Sequence, residues 1–182
     1  LIGLVGSEMC IRDSSKGDVN EFFDKLDGML DLCIEQLLER FEIQCRRKAK
    51  NYPFLMEQGV WLDSDELKPD DEVREVLKHG TLTVGFIGLA ETLKALIGVH
   101  HGESEKAQIL GLQIVAHMRK AMDKATEKYN LNFSLIATPA EGLSGRFVKM
   151  DKKLFGELDG ITDREYYTNS FHIPVYYPIS AF

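Results

Sequence analysis

Residues 80–97, GTLTVGFIGLAETLKALI, decide the fold class of this 182-residue chain. Thr81–Ile87 is a β-branched and apolar run bounded by Gly80 and Gly88, and this pattern predicts a strand buried on both faces. A helix is predicted to follow at once, over Leu89–Ile97. A buried strand that leads directly into a helix is typical of α/β folds with parallel strands.

The same pattern returns further along the chain. Leu131–Ala137 (LNFSLIA) predicts a second buried strand, and a helix is expected after it from about Leu143 to Met150. A long helix over Ser104–Lys128 separates the two strands, and Ser170–Tyr177 predicts a last extended stretch. Two or three strands are too few for a complete open sheet or a closed barrel. We therefore expect part of a larger α/β body.

A long amphipathic helix is predicted near the start of the chain. Asp18 is a suitable N-cap, with Glu21 three residues later as in a capping box. A shorter helix is expected over Asp70–Leu77, after an irregular stretch at Asn51–Pro69. In the long helix, apolar residues recur at three- and four-residue steps and mark one buried face: Phe22, Phe23, Leu26, Met29, Leu30, Cys33, Ile34, Leu37, Leu38 and Phe41.

The composition excludes several classes of protein. Hydrophobic residues make up 44% and charged residues 28% of the chain, as in globular proteins and unlike disordered or collagen-like ones. No apolar run reaches the roughly 18 residues of a membrane-spanning helix, so no membrane partner is expected. The net charge of −7 argues against nucleic acid as a partner, because nucleic acid requires a basic face. It does not argue against a small anionic ligand.

The three cysteines, Cys10, Cys33 and Cys45, include no C-x-x-C pair, so no metal site is expected within this chain. So sparse a set is not a disulfide framework, and we expect a reducing cytoplasm. Cys33 lies on the apolar helix face and is interpreted as a core residue. Cys45 lies beside arginines, which favour a thiolate. Since no histidine or second thiol is near in sequence, both residues are interpreted as structural.

The first fourteen residues, LIGLVGSEMCIRDS, do not fit the rest of the chain. They are a poor signal peptide, because the positive charge of Arg12 follows the apolar run instead of preceding it. The string VGSEMCIRDS resembles translated sequencing-adapter read-through. We therefore interpret residues 1–14 as a non-native leader and residues 15–182 as the domain.

The strongest candidate site is the turn between the second strand and its helix. A strand that ends in a tight glycine-containing turn and leads into a helix directs several unpaired backbone N–H groups at one point. Together with the helix dipole, these donors favour an anion such as phosphate. The predicted phosphate-binding residues are Thr138, Pro139, Ala140, Glu141, Gly142, Leu143 and Ser144. We call this segment the 138–144 turn.

Within this turn, the hydroxyls of Thr138 and Ser144 are expected to add donors, and Gly142 and Gly145 to allow close approach. Glu141 is expected to turn back and cap the helix, since a carboxylate repels phosphate. The pattern is neither a Walker loop nor a G-x-G-x-x-G turn, and a helix start that binds no ligand is the alternative interpretation.

The five histidines do not form a recognisable catalytic or metal motif. His100 and His101 are adjacent in a predicted turn and are expected in solvent. His79 ends a short helix, which suits its charge, and His117 is expected as a hydrogen-bonded residue at the core boundary. His172 is the most interesting, because polar residues precede an apolar stretch there. No catalytic residue is assigned.

Several long strings resemble one family: NYPFLMEQGVWL, LKHGTLTVGFIGLAETLKAL, HHGES, LNFSLIATPAEGLSGRF and DREYYTNSFHIPVYYPISA. The family is the anaerobic, glycyl-radical (class III) ribonucleoside-triphosphate reductases, and the resemblance covers Gly17 to Phe182. It implies a fold class of α/β, with this chain as a partial segment of a ten-stranded α/β barrel with long flanking helices. Residues 15–182 would then be a partial catalytic barrel domain.

The resemblance also implies a chemistry. The family replaces the ribose 2′-hydroxyl of ribonucleoside triphosphates with hydrogen, through a glycyl radical and a thiyl radical on a loop cysteine. A radical-SAM activating enzyme installs the glycyl radical, and formate or a thiol protein is the reductant. A structural zinc site and a homodimer belong to the full-length enzyme.

Matched residue by residue, Thr138 to Ser144 resembles the family's loop that grips the substrate phosphates. Leu82 to Ala90 resembles a strand and turn lining the barrel, and Tyr167 to Val175 a late strand with polar residues facing the interior. The loop cysteine is expected upstream, and the radical glycine and the four zinc cysteines downstream. The chain is therefore expected to be inactive alone and to hold no cofactor. Base preference, regulation and the choice of reductant are determined outside it.

Two other functions remain open at this point. One is a stand-alone nucleotide- or phosphate-binding module that uses the same turn without catalysis. The other is a relative of pyruvate formate-lyase, which shares the barrel but has no need of a phosphate turn.

A thermal melt of the expressed chain distinguishes a barrel segment from a module. A barrel segment leaves strand edges unpaired, so we expect aggregation that increases with protein concentration. A module predicts one cooperative transition at a temperature independent of concentration, together with nucleotide binding. Light scattering recorded during the melt decides between them, and a soluble, cooperative chain would contradict the barrel segment.

Overall fold

The computed structural model describes residues 18–137 and 139–179, together with the backbone of residues 2 and 3. In chain order the elements are β1 (Ile2–Gly3), α1 (Val19–Cys45), α2 (Pro53–Glu57), α3 (Arg74–Leu77), β2 (Thr81–Ile87), α4 (Leu89–Ile97), α5 (Glu105–Tyr129), β3 (Asn132–Ile136) and α6 (Glu141–Phe155). Two 3-10 turns lie at Ala49–Asn51 and Ser64–Glu66.

The three strands form a parallel sheet in the order β1-β2-β3. In the register of β2 and β3, Thr83 is opposite Ser134 and Gly85 is opposite Ile136. The hydroxyls of Thr83 and Ser134 lie 3.0 Å apart and hydrogen-bond across the pair. The predicted α/β class with parallel strands is confirmed.

The strands differ in burial because of their places in the sheet. The last four residues of β2 are buried, as predicted. In β3 only Phe133 is buried, and Ile136 is 42% exposed. The prediction of a second fully buried strand was therefore wrong. β3 lies at the edge of the three strands that the structure describes, so only part of its surface is covered.

One main core packs α1, α4 and α5 against the sheet. The predicted cap at Asp18 is present, since its side chain accepts from the Asn20 amide at 2.8 Å, and in α5 the Ser104 hydroxyl accepts from the Ala107 amide at 3.2 Å. The buried members of this core are Phe22, Leu26, Leu30, Ile34, Val84, Phe86, Leu89, Leu93, Leu96, Leu110, Ile114, Met118, Met122, Ala125 and Phe133. Their spacing in α1 confirms the apolar face predicted for that helix, and α5 presents a similar buried face.

The short helix predicted over Asp70–Leu77 begins later, at Arg74. Residues 69–73 pair with residues 47–50 instead. The Ala49 amide donates to the Asp71 carbonyl and the Val73 amide to the Arg47 carbonyl, both at 3.0 Å. These bonds hold the segment out of the helical conformation, so the first turn of the predicted helix is absent.

The last extended stretch predicted over Ser170–Tyr177 is also wrong. The segment forms turns, with the His172 amide bonded to the Asn169 carbonyl and the Tyr177 amide to the Pro174 carbonyl. Ser170 adopts a positive φ of 48°, which interrupts an extended path. A single antiparallel bridge, between Ile87 and Asn169, connects this region to β2. The late strand expected over Tyr167 to Val175 is therefore not formed.

Residues 4–17 lie outside the described residues, and they include most of the predicted leader and Cys10. Its interpretation as non-native stays a prediction. In the part of the chain that the structure does describe, no helix is both long and apolar enough to cross a membrane.

Candidate functional site

The 138–144 turn lies at the carboxyl end of β3, where the chain leads into α6. The neighbouring strand β2 leads through Gly88, at a φ of 81°, into α4. Because the two strands are parallel, their βα turns lie at the same edge of the sheet. This edge is where α/β proteins place their ligands.

The first-turn amides of α6 are the main feature of this edge. The Ala140 amide donates to Oδ1 of Asn169 at 3.0 Å, and the Ser144 amide donates to the Ala140 carbonyl at 2.7 Å. Between them, the amides of Glu141, Gly142 and Leu143 find no acceptor among residues 18–137 and 139–179. Three donors at the start of this helix are therefore without a partner in the described part of the chain.

Only one of the two glycines leaves space for a ligand. A Cβ built on Gly142 would meet nothing within 4 Å, so this side of the helix start is open. A Cβ on Gly145 would lie 3.3 Å from the Glu165 carbonyl oxygen. Gly145 thus allows a close approach by the protein's own backbone, whereas the prediction expected a ligand there.

Two polar side chains of the turn differ from the expectation. Ser144 is 3% exposed, and its hydroxyl donates to the Glu141 carbonyl at 2.9 Å. Its proton is therefore engaged within the helix. The Glu141 carboxylate is exposed and makes no hydrogen bond with a described residue, so the predicted cap is wrong. Thr138 lies outside the described residues.

Residues 167–170 cross the same edge of the sheet, and we call them the crossing segment. The Gly88 amide donates to the Thr168 carbonyl at 2.7 Å. The carboxylate of Glu91, in the first turn of α4, accepts from the Thr168 amide at 2.9 Å and from its hydroxyl at 2.6 Å. The segment is thereby attached to the start of α4.

Glu91 is a buried carboxyl group, only 5% exposed. Burial raises its pKa, while the hydrogen bonds from Thr168 act in the opposite direction. Its Oε1 receives both Thr168 bonds, and its Oε2 has no partner among the described residues. The negative charge of Asp163 nearby raises the pKa further.

The crossing segment also contacts α6. The hydroxyl of the buried Tyr167 donates to Oδ2 of Asp151 at 2.7 Å. Burial raises the pKa of the Asp151 carboxyl, and the Tyr167 bond partly offsets that rise. Asn169 completes the attachment through the Ala140 amide. The start of α6 is therefore held by a segment that the sequence analysis did not assign to the site.

The adjacent histidines are not both in solvent. His100 is 2% exposed, its Nδ1 accepts from the Gly102 amide at 3.1 Å, and its ring packs edge-on at 4.7 Å from Tyr177. Burial lowers its pKa. His101 donates through Nε2 to the Phe171 carbonyl at 2.7 Å. The expectation for His100 was wrong, because residues 171–177 fold back over it.

The other three histidines lie apart from the turn. His117 lies 2.5 Å from Asp27 and against the Phe23 ring, which confirms its predicted boundary position. His79 contacts Asp63 at 2.6 Å. His172 is exposed. No hydrogen bond joins these three histidines to the 138–144 turn in the described residues.

The two described cysteines match their structural interpretation. Cys45 is fully buried, and burial raises the pKa of its thiol more than Arg74 lowers it. Cys33 packs against the main core, and burial raises its pKa as well. Within the described ranges, no group of three His, Cys, Asp or Glu side chains is placed to hold a metal ion.

Solved structures with the same fold are anaerobic ribonucleotide reductases. The anaerobic ribonucleotide reductase from Thermotoga maritima with citrate in the active site has a TM-score of 0.71 at 20% identity, covering 96% of this chain and 29% of that one. The same enzyme with dATP bound in the specificity site has a TM-score of 0.66 at 19% identity, covering 94% and 26%. The fold is that of an α/β segment of an anaerobic ribonucleotide reductase.

Sequence relatives define the family. The model of the anaerobic ribonucleoside-triphosphate reductases matches residues 9–182, and this chain belongs to that family. The enzymes of that name from Salmonella typhimurium and Escherichia coli K12 are each 38% identical over 164 residues, which is 88% of this chain. The phage T4 enzyme is 34% identical over 164 residues. The chain spans 23% to 25% of these relatives' length. The resemblance in the sequence is confirmed.

Replacing Glu91 with glutamine should change how stability depends on pH. A carboxyl whose folded pKa is raised above its ordinary value of 4.5 stabilises the fold fully below that value, and the contribution is lost as pH rises through the folded pKa. The free energy of unfolding of the unsubstituted chain, relative to Glu91→Gln, should therefore fall as pH rises. Urea unfolding across this range measures it. Thr168→Val, which removes a donor that lowers this pKa, should move the fall to higher pH. If the difference in free energy of unfolding between the unsubstituted chain and Glu91→Gln does not change with pH, the raised pKa of Glu91 is contradicted.

Proposed function

We propose that this chain is part of an oxidoreductase that reduces ribonucleoside triphosphates to deoxyribonucleoside triphosphates, with the 138–144 turn binding the substrate's phosphates. The observation that carries the proposal is the set of three amides, at Glu141, Gly142 and Leu143, that have no partner among the described residues. Membership of the anaerobic ribonucleoside-triphosphate reductase family supplies the substrate class.

The helix start is suited to phosphate. Unpaired N–H groups and the positive end of the helix dipole stabilise an anion there. In α1 and α5 one first-turn amide is capped by a side chain, that of Asn20 by Asp18 and that of Ala107 by Ser104. Ala140, at the same position of α6, has no side-chain acceptor. Its first-turn donors are therefore left for an external acceptor, and the exposed Glu141 carboxylate can turn away from it.

The barrel and its domain are also part of the proposal. The parallel pairing of β2 with β3 and the likeness to the Thermotoga maritima enzyme support residues 15–182 as a partial catalytic domain of a ten-stranded α/β barrel. In this arrangement the carboxyl edge of β2 and β3, with the crossing segment, would face the substrate. The module without catalysis and the pyruvate formate-lyase relative lose support, because the family match covers residues 9–182.

The radical chemistry is proposed for the full-length protein. A glycyl radical installed by a radical-SAM activating enzyme would supply the oxidising equivalent, and formate or a thiol protein would supply the electrons. The described residues do not fit the zinc site, since they include no group of three ligand side chains, and burial raises the pKa of the half-buried Cys33 and of the buried Cys45. What this chain's residues would do is bind and orient the phosphates in a homodimeric, cytoplasmic enzyme.

Substitution of Gly142 tests the phosphate role. Gly142→Asp places a carboxylate beside the free amides, so we expect at least about a ten-fold rise in the Kd for a ribonucleoside triphosphate, the value of one charge-assisted hydrogen bond. Gly142→Ala is the matched control, because a Cβ there meets nothing within 4 Å. Affinity is measured by calorimetry, and as apparent KM in the full-length enzyme. An unchanged affinity for Gly142→Asp would remove the phosphate role.

The open reading frame that contains this segment tests the enzyme assignment. Read in both directions, it should encode a barrel cysteine upstream of residue 18, and a radical glycine with a four-cysteine zinc motif downstream of residue 182. Sequencing of the genomic region decides this. A frame with neither the cysteine nor the glycine would leave family membership intact and remove the catalytic proposal.

A further inference from the structure

The crossing segment contacts both βα turns through consecutive residues. Thr168 is bound by Glu91 at the start of α4, and Asn169 binds the Ala140 amide at the start of α6. We infer that Asn169 is a positioning residue for the 138–144 turn, and that Glu91 acts through Thr168 to hold Asn169 in place. The inference rests on the proposed phosphate role of that turn.

The chemistry of the Asn169 contact fixes its orientation. A backbone N–H can only donate, so the side-chain atom 3.0 Å from the Ala140 nitrogen is the carbonyl oxygen Oδ1. Alanine is a poor N-cap because its side chain offers no acceptor. Asn169 does not cap the first-turn amides themselves. It holds Ala140, at φ −132° and ψ 49°, in the non-helical conformation from which α6 starts.

This contact decides which donors are presented. The Ala140 amide is bonded to Asn169 and the Ser144 amide to the Ala140 carbonyl. Among the described residues, the amides left without a partner are therefore those of Glu141, Gly142 and Leu143. The carbonyl and the amide of Ala140 are thus both bonded. Loss of the Asn169 oxygen would free the residue that sets the direction of the first turn.

Glu91 supplies the rigid end of the chain of contacts. Its carboxyl group is 5% exposed and accepts both donors of Thr168. The Gly88 amide and the bridge between Ile87 and Asn169 attach the same two residues to the end of β2. The backbone that carries Asn169 is therefore fixed to β2 and α4, and the turn after β3 takes its position from them.

A role limited to closing the fold would give a different result. It would lower stability on substitution, but the folded chain would bind phosphate as before. A positioning role predicts that affinity and the environment of the α6 amides change in the folded chain. Replacements of Asn169 that keep the acceptor oxygen should leave the α6 amides in the same environment as in the unsubstituted chain.

The test uses ¹⁵N–¹H spectra of the full-length protein that contains this segment, labelled at alanine, glycine and leucine, with inorganic triphosphate as the probe. Asn169→Ala should move the Ala140, Gly142 and Leu143 amide signals. It should also weaken triphosphate binding about ten-fold, because a misdirected α6 amide loses its hydrogen bond to the charged phosphate. Asn169→Asp keeps the acceptor and should retain the Ala140 signal. Glu91→Ala should act like Asn169→Ala, and Glu91→Gln like the unsubstituted chain.

The control is Asn51→Ala, because Oδ1 of Asn51 accepts from the Lys48 amide at 3.1 Å in the same kind of contact elsewhere. It should leave triphosphate affinity unchanged. Signals from the β2–β3 pair report whether each variant is folded. If Asn169→Ala and Glu91→Ala leave both the α6 amides and the affinity unchanged, the inference is overturned. If the unsubstituted chain binds no triphosphate, the proposed function fails, and the Ala140 signal still decides the positioning role.

Discussion

The parallel pairing of β2 with β3 is the constraint on which the rest of the structure depends. Parallel neighbours cannot be joined by a hairpin, so the chain must return across the sheet between them. Here α4 and α5 make that return, and α5 packs with α1 over the buried residues of β2. The same pairing brings the two strand ends to one edge. A helix start, a buried carboxylate and the crossing segment meet there because of it.

The helix starts of this chain are stabilised in two ways. Those of α1 and α5 are closed locally by Asp18 and Ser104. The start of α6 is held from a distance of 29 residues in sequence, through Asn169, and its next three amides stay unpaired among the described residues. A side-chain cap from the residue next to the helix is the common way to stabilise a helix start. The start of α6 therefore differs from those of α1 and α5, and this difference is what the proposed phosphate role requires.

Local sequence patterns predicted the elements that begin and end at residues with a strong conformational preference. The glycines at 80 and 88 delimit β2, and Ser104 marks the start of α5, so these elements were predicted to within a residue. The edge position of β3 and the pairing of residues 69–73 with 47–50 depend on neighbours that no local pattern contains. The position of the candidate turn was predictable from its strand, its glycine and its helix.

The partners of that turn were not predictable, because they lie far away in sequence. Glu91 and Thr168 are separated by 77 residues, and nothing in the string TNSFH indicates that Asn169 bonds to Ala140. Glu91 did carry a signal, since it is a carboxylate in the otherwise apolar helix LAETLKALI. A charged residue on a buried face requires a polar partner, but the sequence does not say which.

The close contact at Gly145 restricts which residues can replace it. Its missing side chain lets the Glu165 carbonyl oxygen approach to within 3.3 Å of where a Cβ would stand. Two residues further on, Tyr167 is fastened to Asp151 of the same helix. A larger residue at position 145 would thus displace the loop before the crossing segment. The displacement would change the structure at the sheet edge as well as around residue 145. The two glycines of this helix therefore differ in the space around them: a methyl group fits at residue 142, whereas at residue 145 it meets a neighbour's backbone.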